Sequence, residues 1–189
     1  MTSSTRDRWL GEGIAVLCEQ GAAGVRIDRL AARLGLSKGS FHHHFEGIEG
    51  YRSALLLHAE QRIVNALDDA VRGHRDQRPR AVLQALTSLT TAPETSLYDP
   101  RLEAAIRAWA FADAEARDVV ARVDAARLTT LEQIWRRVVP APANLRAHAL
   151  LPYLIGLGAS VLVPAPGPAE LRSVYDILLG LVPDDLEES

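Results

Sequence analysis

Apolar residues recur every three or four positions along nearly the whole chain, and no useful length of it alternates with a period of two. This spacing predicts an all-α protein. In the first helix, Leu10, Ile14, Leu17 and Cys18 share one face, and Gly21 follows its end. The helices expected in the first part of the chain cover about residues 4–20, 27–34, 38–44 and 49–72.

The second part of the chain continues the helical pattern, and prolines mark several helix starts. Pro79, Pro100 and Pro168 each stand where an apolar helical stripe begins, which is a favoured place for proline. The helices expected here begin at 79 and 100, cover about 114–138 and 143–162, and end with one from 168. About nine helices result. The predicted domains are 1–48 and 74–189, with the helix over 49–73 connecting them.

One uncharged stretch, Ala149–Ala169, is long enough to raise the question of a membrane span. Prolines at 152, 164, 166 and 168 interrupt it, so that only about three helical turns fit between the first two. We therefore expect a buried core or interface helix and no membrane partner.

Composition supports an ordinary globular protein, with 48% hydrophobic and 24% charged residues. A single cysteine excludes an intrachain disulfide, and Cys18 on the apolar stripe is expected to be a buried structural thiol. The N-terminus has no apolar segment typical of a secretion signal, so we expect a cytoplasmic protein.

Residues 1–45 carry six basic and four acidic residues, although the whole chain has a net charge of −3. A mild basic patch on an acidic body suits a local anionic contact.

The most informative stretch, Val25–Phe45, has the plan of a helix-turn-helix: a short helix, a tight turn with Gly35, and a second short helix capped by Ser37. Glycine supplies the positive φ that such a turn needs. Phe41 and Phe45 are four residues apart, so both lie on one face of the second helix and dock it inward. The other faces are left available to DNA.

This stretch resembles the TetR/AcrR family of repressors. The matching elements are Ile27, Leu30 and Ala31, the run LGLS at 34–37 and the run KGSFHHHF at 38–45. The resemblance implies a DNA-binding regulator whose recognition helix covers about 38–44. The residues assigned to DNA binding are Arg26, Ile27, Asp28, Arg29, Ser37, Lys38, Gly39, Ser40, Phe41, His42, His43 and His44.

Two features depart from the family pattern. Relatives usually carry aromatic residues such as tyrosine where His42 and His43 stand, and a phosphate-gripping lysine where Ile48 stands. Losing that cation lowers the expected affinity for the DNA backbone. Arg52, one turn later, is a candidate substitute.

Three consecutive histidines also raise the question of a metal. Neighbours on a helix point about 100° apart, so His42, His43 and His44 cannot converge on one ion, and no metal or cofactor is expected. If they face phosphates, their protonation strengthens DNA binding as the pH falls from about 8 to 6.

The second domain is expected to bind a small-molecule effector and to form the homodimer. Aromatic walls with a few polar groups are typical of ligand pockets. The candidates are Tyr98, Trp109, Phe111, Asp113, Trp135, His148 and Tyr153. Small residues at 156, 159, 160 and 163, with a second apolar face on the last helix, point to pairing through the last two helices.

The predicted function is therefore a repressor released from a palindromic operator by a small molecule. The alternatives are an activator or a regulator without a ligand, and an enzyme is disfavoured. The sequence contains no nucleophile–base pair, metal-ligand spacing or glycine-rich phosphate loop.

Overall fold

In the computed structural model of the chain, residues 4–72, 79–91, 99–137 and 144–180 are described. Their secondary structure is helical. The helices are α1 (Thr5–Gln20), α2 (Ile27–Leu34), α3 (Lys38–His44), α4 (Gly47–Arg72), α5 (Pro79–Thr91), α6 (Pro100–Ala110), α7 (Ala114–Trp135), α8 (Leu145–Val161) and α9 (Pro168–Gly180), with a 3-10 turn at Ala22–Gly24. The predicted all-α class and the order of the helices are confirmed.

Local sequence signals account for several helix ends. Ser4 and Asp7 form a capping box at the start of α1, and the hydrogen bonds from Ser4 lower the pKa of the Asp7 carboxyl. Gly35 ends α2 at φ +64°, in the left-handed region. The Ser37 hydroxyl accepts a 3.2 Å hydrogen bond from the Ser40 amide at the start of α3. Gly35 and Ser37 together fix the short turn between α2 and α3.

The described helices group into two compact units. The first unit comprises the chain up to Arg62 together with Arg101–Arg122, and the second comprises Ile63–Pro100 and the chain from Val123 onwards. The first unit therefore contains α6 and the beginning of α7 in addition to the helix-turn-helix. The functional boundaries expected from the sequence, 1–48 and 74–189, remain a prediction.

An aromatic cluster forms the centre of the first unit. The ring of Phe41 lies 5.3 Å from that of Trp9 and 5.2 Å from those of Phe45 and Tyr51, measured between centroids. Trp9, Phe41 and Tyr51 are fully buried. These rings contribute large apolar areas and favourable edge-to-face contacts, and they hold α3 against α1 and α4.

Two polar contacts tie the start of α7 to α4. The Ser53 hydroxyl donates a 2.8 Å hydrogen bond to Glu115. Seven residues further along each helix, the Arg122 guanidinium donates two hydrogen bonds of 2.7 Å to Glu60. Because both contacts join residues 62 positions apart, the two helices run side by side in a constant register.

The second unit has two apolar clusters of its own. Trp135, Leu131 and Ile134 from α7 pack with residues of α5, α8 and α9, including Leu83 and Ala149. A smaller cluster joins buried residues of α9 to α8. Within the described ranges, no helix is both long and apolar enough to cross a membrane.

Candidate DNA-binding surface

The helix-turn-helix is held by one buried face on each of its helices. Leu30 and Ala31 are the buried residues of α2, and Phe41 is the buried residue of α3. The small side chain of Ala31 takes up little space on the buried face of α2. The remaining faces of α3 are consequently turned away from the core of the first unit.

Most residues predicted to bind DNA lie on these outer faces. Lys38, His42 and His43 are exposed, and Ser40 and His44 are half-buried. On and beside α2 and at the turn, the exposed members are Arg26, Asp28, Arg29, Ser37 and Gly39, and Ile27 is half-buried. The structure therefore gathers these side chains on adjoining parts of α2 and α3.

Phe41 is the exception among the predicted DNA-binding residues. Its side chain is completely buried among Trp9, Phe45 and Tyr51, so it cannot contact DNA with its ring. Its physical role is to fix the position of α3.

The three histidines have different surroundings. The ring of His42 is nearly perpendicular to that of Phe41, with 5.5 Å between their centroids. The ring centroids of His43 and His44 lie 5.0 Å apart. His44 also lies 6.2 Å from the ring of Phe45. Among the described residues, no group of three or more His, Cys, Asp or Glu side chains could hold a metal ion.

Ion pairs organise the charges around the surface. The Lys38 ammonium pairs with Asp28 and so bridges the starts of α3 and α2. On the other side of α2, Arg33 pairs with Glu12 and Glu19 of α1, and these contacts raise the pKa of the Arg33 guanidinium. Arg33 therefore joins α2 to α1 through these ion pairs.

At the start of α4, Ile48 is half-buried where the family resemblance predicts a lysine. Arg52, one turn later, donates a 2.9 Å hydrogen bond from a terminal guanidinium nitrogen to the carboxylate of Glu49. The Nε of Arg52 is buried and has no hydrogen-bond partner among the described residues.

The residues proposed from the sequence for ligand binding do not fall in one unit. Trp109, Phe111 and Asp113 belong to the first unit, and Trp135, His148 and Tyr153 belong to the second. Tyr98 lies outside the described residues. Residue type alone indicates that these seven side chains suit a pocket wall. It does not indicate that α6 and the beginning of α7 belong to the first unit.

Two of the three candidates in the first unit have surroundings that differ from those of a pocket wall. Phe111 follows the last residue of α6 and its side chain is 88% exposed, which corrects its assignment as a wall within this unit. Asp113 accepts a 2.9 Å hydrogen bond from the Ala116 amide and thus caps α7. Trp109 is buried.

In the second unit, polar groups accompany the aromatic residues. The Tyr153 hydroxyl donates a 2.5 Å hydrogen bond to Asp124, and the Arg127 guanidinium lies 5.9 Å from the Tyr153 ring centroid. The ring of Trp135 lies 5.2 Å from that of His148. Sequence reasoning missed Asp124 and Arg127, although their spacing on α7 is compatible with one face.

One further expectation, that Cys18 is buried, needs correction. Cys18 is half-buried, because it lies at the edge of the buried face of α1, to which Leu10, Ile14 and Leu17 belong. In α8, Ala159 packs against the cluster on α9 of the same chain, and the pairing of two subunits through these helices stays a prediction.

The buried aromatic anchor, the left-handed turn and the outward polar face of α3 define a helix-turn-helix DNA-binding domain. Residues 10–54 match the family model of the bacterial regulatory proteins of the tetR family. Over this segment the chain is similar to the DNA-binding domain of the TetR family of transcriptional regulators. No curated protein matches the chain in sequence.

Solved structures share the fold over almost the whole chain. A transcriptional regulator from Rhodococcus sp. Rha1 is 19% identical, with a TM-score of 0.78 and coverage of 95% of this chain and 96% of that one. A TetR-family regulator from Streptomyces coelicolor is 20% identical, with a TM-score of 0.73 and coverage of 94% and 87%. A protein from Saccharomonospora viridis, solved in complex with choline, is 18% identical, with a TM-score of 0.75 and coverage of 96% and 100%.

Proposed function

We propose that this chain is a cytoplasmic repressor that binds a palindromic DNA operator as a homodimer and releases it when a small molecule binds. The observation that carries the proposal is the position of α3. Phe41 anchors this helix in the aromatic core, while Lys38, His42 and His43 stay exposed on it. A helix held in this way can enter the major groove as a rigid reading element.

In this proposal, contacts to phosphate and contacts to bases come from different parts of the surface. Arg26 and Arg29, exposed on and beside α2, supply charge to the DNA backbone. Lys38, Ser40, His42 and His43 reach base edges or the adjoining phosphates. Lysine and serine are frequent partners of base edges, and a histidine can donate or accept a hydrogen bond.

The homodimer is proposed to form through α8 and α9. Leu154 is 55% exposed on α8 and Ile177 is 72% exposed on α9, and Leu151 and Val174 add further exposed apolar area. A second copy of the chain is the proposed occupant because the same apolar face on both subunits is self-complementary about a two-fold axis. Two recognition helices then lie roughly 34–36 Å apart and read a palindrome.

Ligand response is the third part of the proposal. The buried indole Nε1 of Trp135 has no hydrogen-bond partner among the described residues, and Tyr153 and Asp124 place a polar pair in the same unit. The neighbour solved with choline supports the idea that this fold accommodates a small molecule. For release, the effector must bind more tightly to the subunit arrangement with the wrong spacing for DNA.

Selection from a random pool of double-stranded DNA, followed by footprinting, tests the operator. The proposal requires a protected palindrome with half-sites one helical turn apart. Recovery of no preferred duplex would contradict it. An effector screen then measures release of that duplex, and a reporter gene distinguishes a repressor from an activator.

A further inference from the structure

The buried indole of Trp135 on α7 carries an unpartnered hydrogen-bond donor in the second unit. Trp135 is 3% exposed, and its Nε1 has no hydrogen-bond partner among the described residues. A buried N–H group without an acceptor is unfavourable, and such groups in native proteins are nearly always paired. An acceptor from outside the chain is therefore favoured at this indole.

The buried side chains that share a cluster with this indole are hydrocarbon. They come from α5, α7, α8 and α9 and are Val82, Leu83, Leu128, Leu131, Ile134, Leu145, Ala149 and Leu179. An ordered water molecule needs about two to four polar partners, which hydrocarbon side chains do not supply. The acceptor that suits these surroundings is a polar atom attached to an apolar body.

The imidazole of His148 on α8 lies beside the indole and offers the complementary group. The centroids of the two rings are 5.2 Å apart. The Nδ1 of His148 lies 2.7 Å from the Asn144 carbonyl oxygen, and because a carbonyl oxygen only accepts, Nδ1 donates this hydrogen bond. The Nε2 of the neutral ring is then an acceptor. Trp135 and His148 therefore present a donor and an acceptor on neighbouring rings.

Charges on the flanking parts of α7 and α8 are balanced within the chain. Glu132 forms a 3.0 Å ion pair with Arg146, whose side chain is 62% exposed. Asp124 accepts the hydrogen bond of the Tyr153 hydroxyl, and the Arg127 guanidinium lies over the same tyrosine ring. An ionic ligand would bury its charge against hydrocarbon side chains, which is unfavourable. The surroundings of the two rings thus favour an uncharged ligand.

We propose that Trp135 and His148 bind the hydroxyl group of an uncharged alcohol or phenol, whose hydrocarbon body packs against the apolar cluster. The inference rests on the proposed function, because this compound is the effector of the repressor. The hydroxyl accepts a hydrogen bond from the Nε1 of Trp135 and donates one to the Nε2 of His148, since it can do both at one atom. This class differs from the choline of the Saccharomonospora viridis neighbour, which carries a positive charge.

The test compares three compounds that have the same apolar body but different polar groups: n-octanol, octanoate and octylammonium. Calorimetry and thermal unfolding measure their binding to the full chain without DNA. We expect n-octanol to bind at least about tenfold more tightly than either ion, because the ions must bury a charge. Absence of n-octanol binding, or binding of an ion with equal or higher affinity, would overturn the inference.

Two variants test the two rings. Trp135→Phe removes the donor and His148→Phe removes the acceptor, while each keeps an aromatic ring. We expect each variant to bind n-octanol about tenfold more weakly than the wild type. Trp109→Phe is the matched control, because Trp109 is a buried tryptophan of the first unit, and it should leave the affinity for n-octanol unchanged.

The indole N–H signal of Trp135 in NMR spectra separates hydrogen bonding from packing. Trp135→Phe assigns this signal by removing it. In the wild type, n-octanol should move the signal downfield as the proton enters a hydrogen bond, while the indole signals of Trp9 and Trp109 stay in place. If n-octanol saturates the protein and the Trp135 signal does not move, the inference is wrong, whatever the variants do to folding.

Release of DNA is measured separately, with the duplex recovered by selection. If n-octanol moves the Trp135 signal but leaves this duplex bound, the hydroxyl site stands and the ligand-responsive part of the proposed function fails. If a small molecule releases the duplex without moving the Trp135 signal, the proposed function stands and the assignment of its effector to this site is wrong.

Discussion

The hydroxyl of Tyr51 on α4 donates a buried 2.7 Å hydrogen bond to the backbone carbonyl oxygen of Trp9 on α1. Trp9 and Tyr51 are both fully buried, and both flank the ring of Phe41 on α3. One hydrogen bond therefore fixes the two walls between which the recognition helix is anchored. The stability of α3 and its orientation depend on the same contact.

Replacing Tyr51 with phenylalanine keeps the ring and removes this bond. We expect the free energy of unfolding to fall by about 0.5–1.5 kcal/mol, as for a typical internal hydrogen bond, because the Trp9 carbonyl also accepts its ordinary helical bond. Urea unfolding followed by circular dichroism measures the change. An unchanged unfolding midpoint would show that the bond has no net effect on stability.

The same tyrosine makes a pH-dependent contribution at alkaline pH. Burial, and secondarily the charge of Glu12, raise the pKa of Tyr51 far above the ordinary value near 10. The folded state keeps the proton while the unfolded state loses it. The contribution to stability is therefore fully present below pH ~10 and is lost as the pH rises further. The free energy of unfolding of the wild type should fall more steeply above that pH than the free energy of unfolding of Tyr51→Phe.

Gly13 permits the close approach of α1 to α4. A Cβ atom at this position would lie 2.0 Å from the Tyr51 hydroxyl and 2.9 Å from a methyl of Leu55. We expect Gly13→Ala to destabilise the protein by about 1–3 kcal/mol, since the core must move to accept the methyl group.

Gly11 on the same helix provides the control for this substitution. A Cβ there would meet nothing within 4 Å. Alanine is the better helix former, so Gly11→Ala should stabilise the protein by up to about 1 kcal/mol. Thermal unfolding of both variants measures the contrast, and destabilisation of equal size by both would contradict the role of close packing at Gly13.

We expect the exposed histidines of α3 to make DNA binding dependent on pH. Histidine gains positive charge between about pH 8 and 6, and a nearby phosphate favours the charged form. At constant salt, affinity for the selected duplex should rise over this interval for the wild type and stay nearly flat for a His42→Gln, His43→Gln double variant. Fluorescence anisotropy measures both curves.

His58 and His148 are the controls for the histidine prediction. His58 lies on α4, and burial together with Arg62 lowers the pKa of its imidazole, with Asp7 opposing and Arg6 reinforcing that shift. His148 lies in the second unit, where its Nδ1 is 2.7 Å from the Asn144 carbonyl oxygen. If His58→Gln or His148→Gln removes the pH dependence instead, the histidines of α3 are not its source.

Ile177 is the most exposed apolar side chain of α9. In the proposed dimer it is buried against the second copy, so Ile177→Glu should shift the protein towards monomers and weaken binding to a palindrome. Arg172→Glu is the matched control, because position 172 lies on the opposite exposed flank of the same helix. Light scattering coupled to gel filtration measures the mass. A dimer that survives Ile177→Glu unchanged would place the interface elsewhere.

Short-range signals were sufficient for the helices and for the turn that positions α3. Gly35 and Ser37 act through their own backbone and their immediate neighbours, and Pro100 and Pro168 begin helices where proline is favoured. The docking of Phe41 also followed from spacing alone, because Phe45 repeats one turn later.

Contacts between distant segments could not be predicted from these short-range signals. The Tyr51–Trp9 bond joins residues 42 positions apart, and the Tyr153–Asp124 bond joins residues 29 apart. Residue type alone suggested that Phe111 was a pocket wall, but the end of α6 leaves it exposed.

The pairing of Lys38 with Asp28 has a consequence for the strength of every DNA complex. Asp28 acts as a built-in counterion, so a DNA phosphate that approaches Lys38 competes with a carboxylate already in place. Exposed pairs of this kind are worth up to about 1 kcal/mol, and this amount is subtracted equally from every DNA complex. Specific and random DNA therefore both lose affinity by the same factor. The carboxylate thus raises the threshold that a sequence must pass before the protein stays bound to it.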